Sequence, residues 1–512
     1  MSFAPDCRIP EFLLTCASLM GFLGSCGGDG ESVNPEAQGG SRDVQDASAA
    51  ALDFELDLAA APNVILISID TLRSDHLGTY GHVNDTSPRM DALGAEGAVF
   101  EECASSTSWT LPAHAAMLTG LSDLVHGCTD TNRTLAASRV TLAERLGAVG
   151  YETGGFWSGP YLHPTFGLGQ GFDTWVDCTS YAAINNELAE NQGTIEGEEV
   201  WNRANHDITN PSVLKGATSW LQENGDERFF LFLHLWDCHF DFIPPAPYDT
   251  MFDPDYTGTM TGRNFFTNPD VNAGMDPRDL EHLKALYDGE IRWTDDHIGQ
   301  LLDALEKQGL AENTLVVLTS DHGTAFFEHG QRAHRNGLYD ELIHVPLIMR
   351  FPEAIPAGTR SNTQVRLIDV VPTILDLVGL PHPADVMGRS LRPAFGGELE
   401  ESVEPAVSEL YTLGMEQRSY RRRDHKLIMD WANPADVRSF VVDLSNDPGE
   451  QSPLTSASLP VSQAALADRK VGFDWLTSWQ TALPADRSTS EIPEDILRQL
   501  QGFGYVGSSE DE

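Results

Sequence analysis

Two apolar runs from opposite halves of the chain constrain the fold most. Residues 63–70 read NVILISID and residues 314–323 read TLVVLTSDHG. Both runs are continuous in Val, Ile and Leu rather than alternating, the pattern of strands buried on both faces of a parallel sheet. Each ends on a carboxylate. Open α/β sheets bind ligands at the carboxyl ends of their strands, so Asp70 and the Asp321–His322 pair are expected to converge there. A third stretch, residues 108–120, reads SWTLPAHAAMLTG. Its Pro112 suits the first turn of a helix, whose N-terminus would present amide groups to an anion. The bland reading of Thr110 is a helix N-cap.

The rest of the chain supports a layered α/β fold. Further strands are expected at 229–235 and 345–351, and a long amphipathic helix over about 277–308, with Leu286, Ile291, Ile298, Leu301 and Leu305 near one face. Another helix starts at Val370. From about Glu404 the pattern shifts to short strands, HKLIMDW and SFVVDLS. The expected fold is a large mixed, mostly parallel sheet sandwiched by helices, with a small C-terminal antiparallel sheet. Four regions are expected: a leader at 1–26, a flexible acidic linker at 27–61, a catalytic domain at 62–400, and a C-terminal subdomain and tail at 401–512. Ser490 is expected to cap a last helix.

The net charge of −45 over 512 residues argues against nucleic acid as a partner. Residues 12–26, FLLTCASLMGFLGSC, are too short for a comfortable membrane span and fit a secretory apolar region. Leu23-Gly24-Ser25-Cys26 resembles the bacterial lipoprotein processing box. That implies export to the periplasm or cell envelope, with contact to the membrane only through a lipid anchor at Cys26. After such processing Cys103, Cys128, Cys178 and Cys238 remain, as disulfides or as buried thiols.

The ordered set of IDTLRSDHLGTYG, GYETGGF, SDHGTAFFEHG, NGLYDELIHVPLIMR and VDLSNDPGEQSPL resembles the sulfatases and their relatives in the alkaline phosphatase superfamily. The resemblance runs from about Asn63 to about Leu454 and implies the fold expected above. It implies a metal site of Asp70, Thr110, Asp321 and His322, holding one divalent ion: Ca, Mg, Mn or Zn. It implies catalytic roles for Thr110, as nucleophile, and for His239 and His334, as anion-binding groups of which the first can protonate a leaving oxygen. His114 and Arg335 are candidates for adding positive charge toward a small anionic ester substrate. Arg73 reads as a scaffold ion-pair partner. Asp237 and Asp241, with His239 and His334, form an alternative second metal set, and Asp253 and Asp255 an alternative calcium turn.

Three departures from the sulfatase pattern bear on the chemistry. The residue at the modified position of C/S-x-P-x-R is Thr110, and its β-methyl excludes oxidation to formylglycine. The second acid that commonly follows the first metal ligand is Thr71. The Lys and His of the GKWH segment are replaced by Ser158 and Pro160. A threonine at this place is similar to the nucleotide pyrophosphatases and to the phosphoethanolamine and phosphoglycerol transferases. The resemblance therefore implies a hydrolase of phosphate, phosphonate or sulfate esters acting through a covalent Thr110 intermediate. The alternatives are an arylsulfatase-type sulfuric ester hydrolase, a phosphoethanolamine- or phosphoglycerol-type transferase, and a non-catalytic envelope binding protein.

Overall fold

The computed structural model describes residues 60–179, 208–412, 414–431, 433, 437–484 and 486–502. The leader, the body of the linker, Cys26 and the acidic tail lie outside the described residues. Fifteen strands are present among them: β1 (Asn63–Ile69), β2 (Ala98–Ala104), β3 (Glu152–Trp157), β4 (Thr174–Asp177), β5 (Phe229–Leu235), β6 (Thr314–Ser320), β7 (Ala325–Phe326), β8 (Arg332–Ala333), β9 (His344–Arg350), β10 (Thr359–Ser361), β11 (Val365–Arg366), β12 (Ala406–Thr412), β13 (Met415–Arg421), β14 (His425–Asp430) and β15 (Arg438–Asp443). The main sheet has the order β10-β2-β9-β6-β1-β5-β3-β4, with β11 paired to β2. All its pairings are parallel except the two made by β9, which runs against β2 and β6. A four-stranded antiparallel sheet, β12-β13-β14-β15, follows. The mixed, mostly parallel α/β architecture with a small C-terminal sheet is therefore the one expected.

Burial on both faces explains the continuous apolar runs. Val64 and Leu66 of β1 pack into one core and Ile65, Ile67 and Ile69 into another on the opposite face. The first core takes Leu111, Met117 and Leu118 of the helix Thr110–Thr119 and Val371 and Ile374 of the helix Val370–Val378. The second takes Leu283, Ile291, Ile298 and Leu305 of the helix Pro277–Lys307. That long helix starts where Asp276 accepts the amide of Arg278, with Pro277 in its first turn. Period two in the strands then settles where the polar ends point. Leu66, Ser68 and Asp70 share one face, as do Val317, Thr319 and Asp321, and that face is the one covered by the helix Thr110–Thr119.

Two local expectations are revised. The last helix is Glu494–Gly502. Ser490 does not cap it: its amide donates to Asn132 and its hydroxyl pairs with that of Thr165. Cys103, Cys128, Cys178 and Cys238 are all free and buried. Among the described residues no helix is long and apolar enough to cross a membrane.

The small sheet is locked onto the main body by charge. Lys426 on β14 is fully buried, with Nζ 2.8 Å from Asp340 and 2.9 Å from Glu450. Arg421 on β13 holds Asp340 at 2.7 Å and Glu102 of β2 at 2.9 Å. Removing one partner of a buried pair leaves the other charge uncompensated. Lys426→Ala is expected to destabilise the fold by about 3–5 kcal/mol, read as a lower urea midpoint; a loss under about 1 kcal/mol would show that the pairing contributes little.

Candidate active site and metal centre

Asp70 stands one residue past β1 and Asp321 one residue past β6, and β1 and β6 are adjacent and parallel, with Ile69 opposite Ser320. Both carboxylates are fully buried. Asp321 Oδ1 accepts the amides of His322 at 2.9 Å and Thr71 at 3.3 Å. Asp321 Oδ2 and both oxygens of Asp70 accept no hydrogen bond. Burial without such compensation pushes the Asp70 carboxyl up to about 7, against the pull of His322 and the Thr110 hydroxyl, and burial with the nearby Asp70 charge raises Asp321 as well. His322 Nδ1 lies 2.9 Å from the Gly323 carbonyl. A carbonyl can only accept, so Nδ1 carries the proton and Nε2 presents a lone pair. That Nε2 is 3.3 Å from Asp321 and 3.9 Å from Asp70.

Thr110 opens the helix Thr110–Thr119 as its first helical residue. The N-cap position belongs to Trp109, which makes no side-chain capping bond. The Thr110 hydroxyl instead lies 3.4 Å from His322 Nε2. The N-cap reading of Thr110 is therefore replaced: its oxygen joins the carboxylates. The helix ends on Gly120 at φ +72, whose amide donates to Ala116. A Cβ at Gly120 would meet Val386 at 2.7 Å in addition to the left-handed strain.

The structure brings the anion-binding candidates to the same place. The His239 and His334 rings are 5.1 Å apart, and His334 stacks on His322 at 4.7 Å. Burial holds both His239 and His334 well below the usual histidine range. His239 Nδ1 lies 2.7 Å from the Phe240 carbonyl and so keeps its proton there. A role as proton donor at Nε2 thus needs a second proton, which an anionic substrate would favour.

Other candidates are placed differently from the expectation. His114 is fully buried; its Nδ1–H donates to the Thr110 carbonyl at 2.8 Å and its Nε2 accepts from Ser68 at 3.0 Å. Burial and the adjacent His234 push it down to about 3, so it is neutral and braces the first turn of the helix Thr110–Thr119 rather than adding charge. Arg335 lies with its guanidinium 4.5 Å over the Trp109 ring and donates to the Thr412 hydroxyl; these contacts brace the residue that precedes the same turn. Arg73 pairs with Asp75 and Glu328, as a scaffold cation should. The alternative second metal set does not assemble. Asp237 accepts from Thr209, Asn210 and Trp293, and Asp241 from the amides of Asn264 and Phe265. Asp253 is paired with Arg278 and His282 rather than poised for calcium.

His234 is the residue that reading the sequence missed. It pairs in register with Ser68 across β5 and β1, so it shares the face of Asp70. Its Nε2 is 3.4 Å from Asp70 Oδ2. The available signal was the period-two continuation of Phe230 and Phe232, two residues of the buried core, into a polar side chain near the strand end.

With this geometry in view, comparison with known proteins identifies the class. Residues 62–380 match the sulfatase family, and residues 328–463 match the family described as N-sulphoglucosamine sulphohydrolase, C-terminal. The chain belongs to the sulfatase family. It is 26% identical over 349 residues to the ulvan-active sulfatase of Formosa agariphila, a match spanning 65% of each chain. It is also 26% identical over 415 residues to the N-acetylglucosamine-6-O-sulfatase of Bacteroides thetaiotaomicron, covering 66% of this chain and 71% of that one. Among solved structures, the phosphonate monoester hydrolase of Agrobacterium radiobacter superposes with a TM-score of 0.66 at 22% identity, over 84% of this chain and 100% of the other. The phosphonate monoester hydrolase of Silicibacter pomeroyi does so with a TM-score of 0.64 at 21% identity, over 83% and 96%. These two likenesses establish the shared fold.

The orphaned oxygens of Asp70 and Asp321, facing an imidazole lone pair, fit a divalent cation. Without metal, Asp70 keeps its proton up to about pH 7 in the fold but releases it near 3.8 when unfolded. Between those values the unfolded chain binds fewer protons, so this group's contribution to stability falls as pH rises. Relative to Asp70→Asn, metal-free wild-type protein is expected to lose melting temperature from about pH 5 to about pH 7 and to level off above. Saturating metal should abolish the wild-type fall with pH and raise its melting temperature above that of Asp70→Asn; parallel curves in the absence of metal would refute the assignment.

Proposed function

We propose that the protein is a metal-dependent hydrolase of phosphate or phosphonate esters that acts through a covalent Thr110 intermediate. The observation that carries this reading is the Thr110 hydroxyl at a helix N-terminus beside His322 and the unpartnered oxygens of Asp70 and Asp321. Asp70, Thr110, Asp321 and His322 would hold the ion. A divalent cation there would lower the pKa of the hydroxyl and offset the charge of the ester oxygens. Once the Thr110 hydroxyl has lost its proton to solvent water, its oxygen attacks phosphorus, the bond to the leaving oxygen breaks, and His239 in its doubly protonated form supplies the proton to that oxygen. Water then hydrolyses the phosphothreonine and frees Thr110. The helix amides bind the anionic oxygens throughout. The missing cations at Ser158 and Pro160 favour phosphoryl over sulfuryl chemistry. The second reading, a sulfuric ester hydrolase, draws support from the printed names of the relatives, which are sulfatases.

A panel of p-nitrophenyl phosphate, phosphonate, phosphodiester and sulfate esters with each divalent metal tests the reaction. Thr110→Ala is expected to lose about three or more orders of magnitude in kcat/KM, and Thr110→Ser to retain a measurable part. Sulfate esters turned over far faster than every phosphorus ester would replace this reading with the sulfatase one.

The same reading places the protein outside the cytoplasm, processed at Cys26 and held to a membrane by a lipid there; the apolar stretch before Cys26 and the Leu-Gly-Ser-Cys sequence support it. Cys26→Ala should move the protein from the membrane fraction to the soluble one or block processing. An unchanged membrane fraction would reject the anchor.

A further inference from the structure

We infer that Tyr287, on the long helix Pro277–Lys307, is a positioning residue for the metal centre: its hydroxyl clamps Thr71 in the left-handed turn that ties Asp70 to Asp321. The inference deepens the proposed function and rests on its placement of the metal among Asp70, Asp321 and His322.

The turn is strained where it leaves the site. Among the described residues, six besides glycine have positive φ, and Thr71, at φ +56, is the one β-branched residue of the six. That conformation is a steric outlier for such a side chain and persists only where the surroundings impose it. Thr71 follows Asp70 directly. Rotation about its N–Cα bond toward negative φ swings the peptide plane it shares with Asp70, or else the chain beyond. That plane carries the Thr71 amide, which Asp321 Oδ1 accepts at 3.3 Å. The bond engages Oδ1 and leaves Oδ2 of Asp321 and both oxygens of Asp70 to an ion.

Partners from elsewhere in the chain impose the turn. The Thr71 hydroxyl donates to the Cys238 carbonyl at 2.8 Å. The Leu72 amide donates to Ser320 Oγ, on the last residue of β6, at 3.0 Å. Tyr287 does more, since one hydroxyl closes both ends. It donates to the Thr71 carbonyl at 2.8 Å and accepts the Arg73 amide at 2.9 Å. Its ring is fully buried, with the Phe242 and Phe326 rings each 5.4 Å away and His76 at 4.9 Å, so the hydroxyl has little freedom to turn elsewhere. Burial pushes the phenol well above its ordinary range, and it stays protonated as a donor.

This explains one of the sequence departures. Thr71 stands where an acidic ligand is common. An acid bound to the ion would tie this residue to the metal directly. The threonine hydroxyl is spent on the Cys238 carbonyl, so the hold passes through hydrogen bonds, and Tyr287 supplies two of them.

The test uses the full chain, stripped of metal and titrated by calorimetry with zinc and with manganese, ions that accept carboxylate and imidazole donors. Tyr287→Phe keeps the buried ring and removes only the hydroxyl. It should weaken binding of the ion by roughly 10–100-fold, the loss typical of an outer-shell partner. Thr71→Gly accepts positive φ without a clamp. In that background Tyr287→Phe should cost less than about 3-fold, a coupling that a double-mutant cycle reads directly. The lost threonine hydroxyl is common to both arms and cancels. Unchanged affinity in Tyr287→Phe, with only a lower urea midpoint, would make the hydroxyl a fold contact and overturn the inference. A loss of equal size with and without Thr71→Gly would overturn it too. Wild-type affinity in Asp321→Ala, or no ion bound by the wild-type protein, would instead overturn the metal site on which the inference rests. Hydrogen exchange of the unmodified, metal-free protein needs no variant: the fragment spanning Asp70–Ser74 should be protected as fully as β1. Rapid exchange there, with β1 protected, overturns the inference.

Discussion

Two buried carboxylates at the ends of adjacent strands, Asp70 and Asp321, are the constraint around which the rest is arranged. Desolvating one carboxylate is costly, and desolvating two beside each other is worse. The fold answers only part of that cost, with two amides on a single Asp321 oxygen. What remains calls for a cation, and the helix Thr110–Thr119 is aimed at the same point. Its first turn is held by His114 and by the Trp109–Arg335 stack. A reactive hydroxyl in a site of this charge needs that rigidity, because a displacement of about 1 Å can cost on the order of 100-fold in rate.

The site is positive only where it must be. The chain carries 77 acidic against 32 basic residues, and two of the buried histidines beside the carboxylates, His114 and His234, are neutral. Burial pushes His114 down to about 3 and His234 to about 4. Their task is to position and to offer lone pairs. Charge that welcomes an anionic ester must then come from the ion, the helix N-terminus and whatever protons the bound substrate draws onto His239 and His334.

Much of this was legible in the residues. Continuous runs of β-branched and aliphatic residues marked β1 and β6, and a carboxylate at the end of each marked the sheet edge. The long helix was readable from its 3.6-residue period, and Thr110 from its place before Leu111-Pro112. Less legible was anything depending on which way a ring turns. His114 and Arg335 are near the site, as expected, yet their contacts with Thr110, Ser68 and Thr412 are tertiary and leave no mark in spacing. The reversed direction of β9 was likewise invisible, since an apolar run reads the same both ways. His234 was hidden by a neighbour: in HLWDCH the second histidine drew the functional reading, while only the pairing of Ser68 with His234 shows which face the first one takes.

The charged lock of the small sheet has a consequence for how this protein can vary. β12 does more than pack: Ser408 and Glu409 bond the backbone of Ser105 and Ser106, just ahead of Thr110, and Thr412 takes the guanidinium of Arg335. Asp340, gripped by Arg421 and Lys426, closes the segment that carries His334. The C-terminal sheet is thus a splint across the segments that carry Thr110 and His334, and trimming it would strip the contacts that hold both. Exposed positions of the main body such as Asp255 make none of these contacts, so a change there leaves the splint intact.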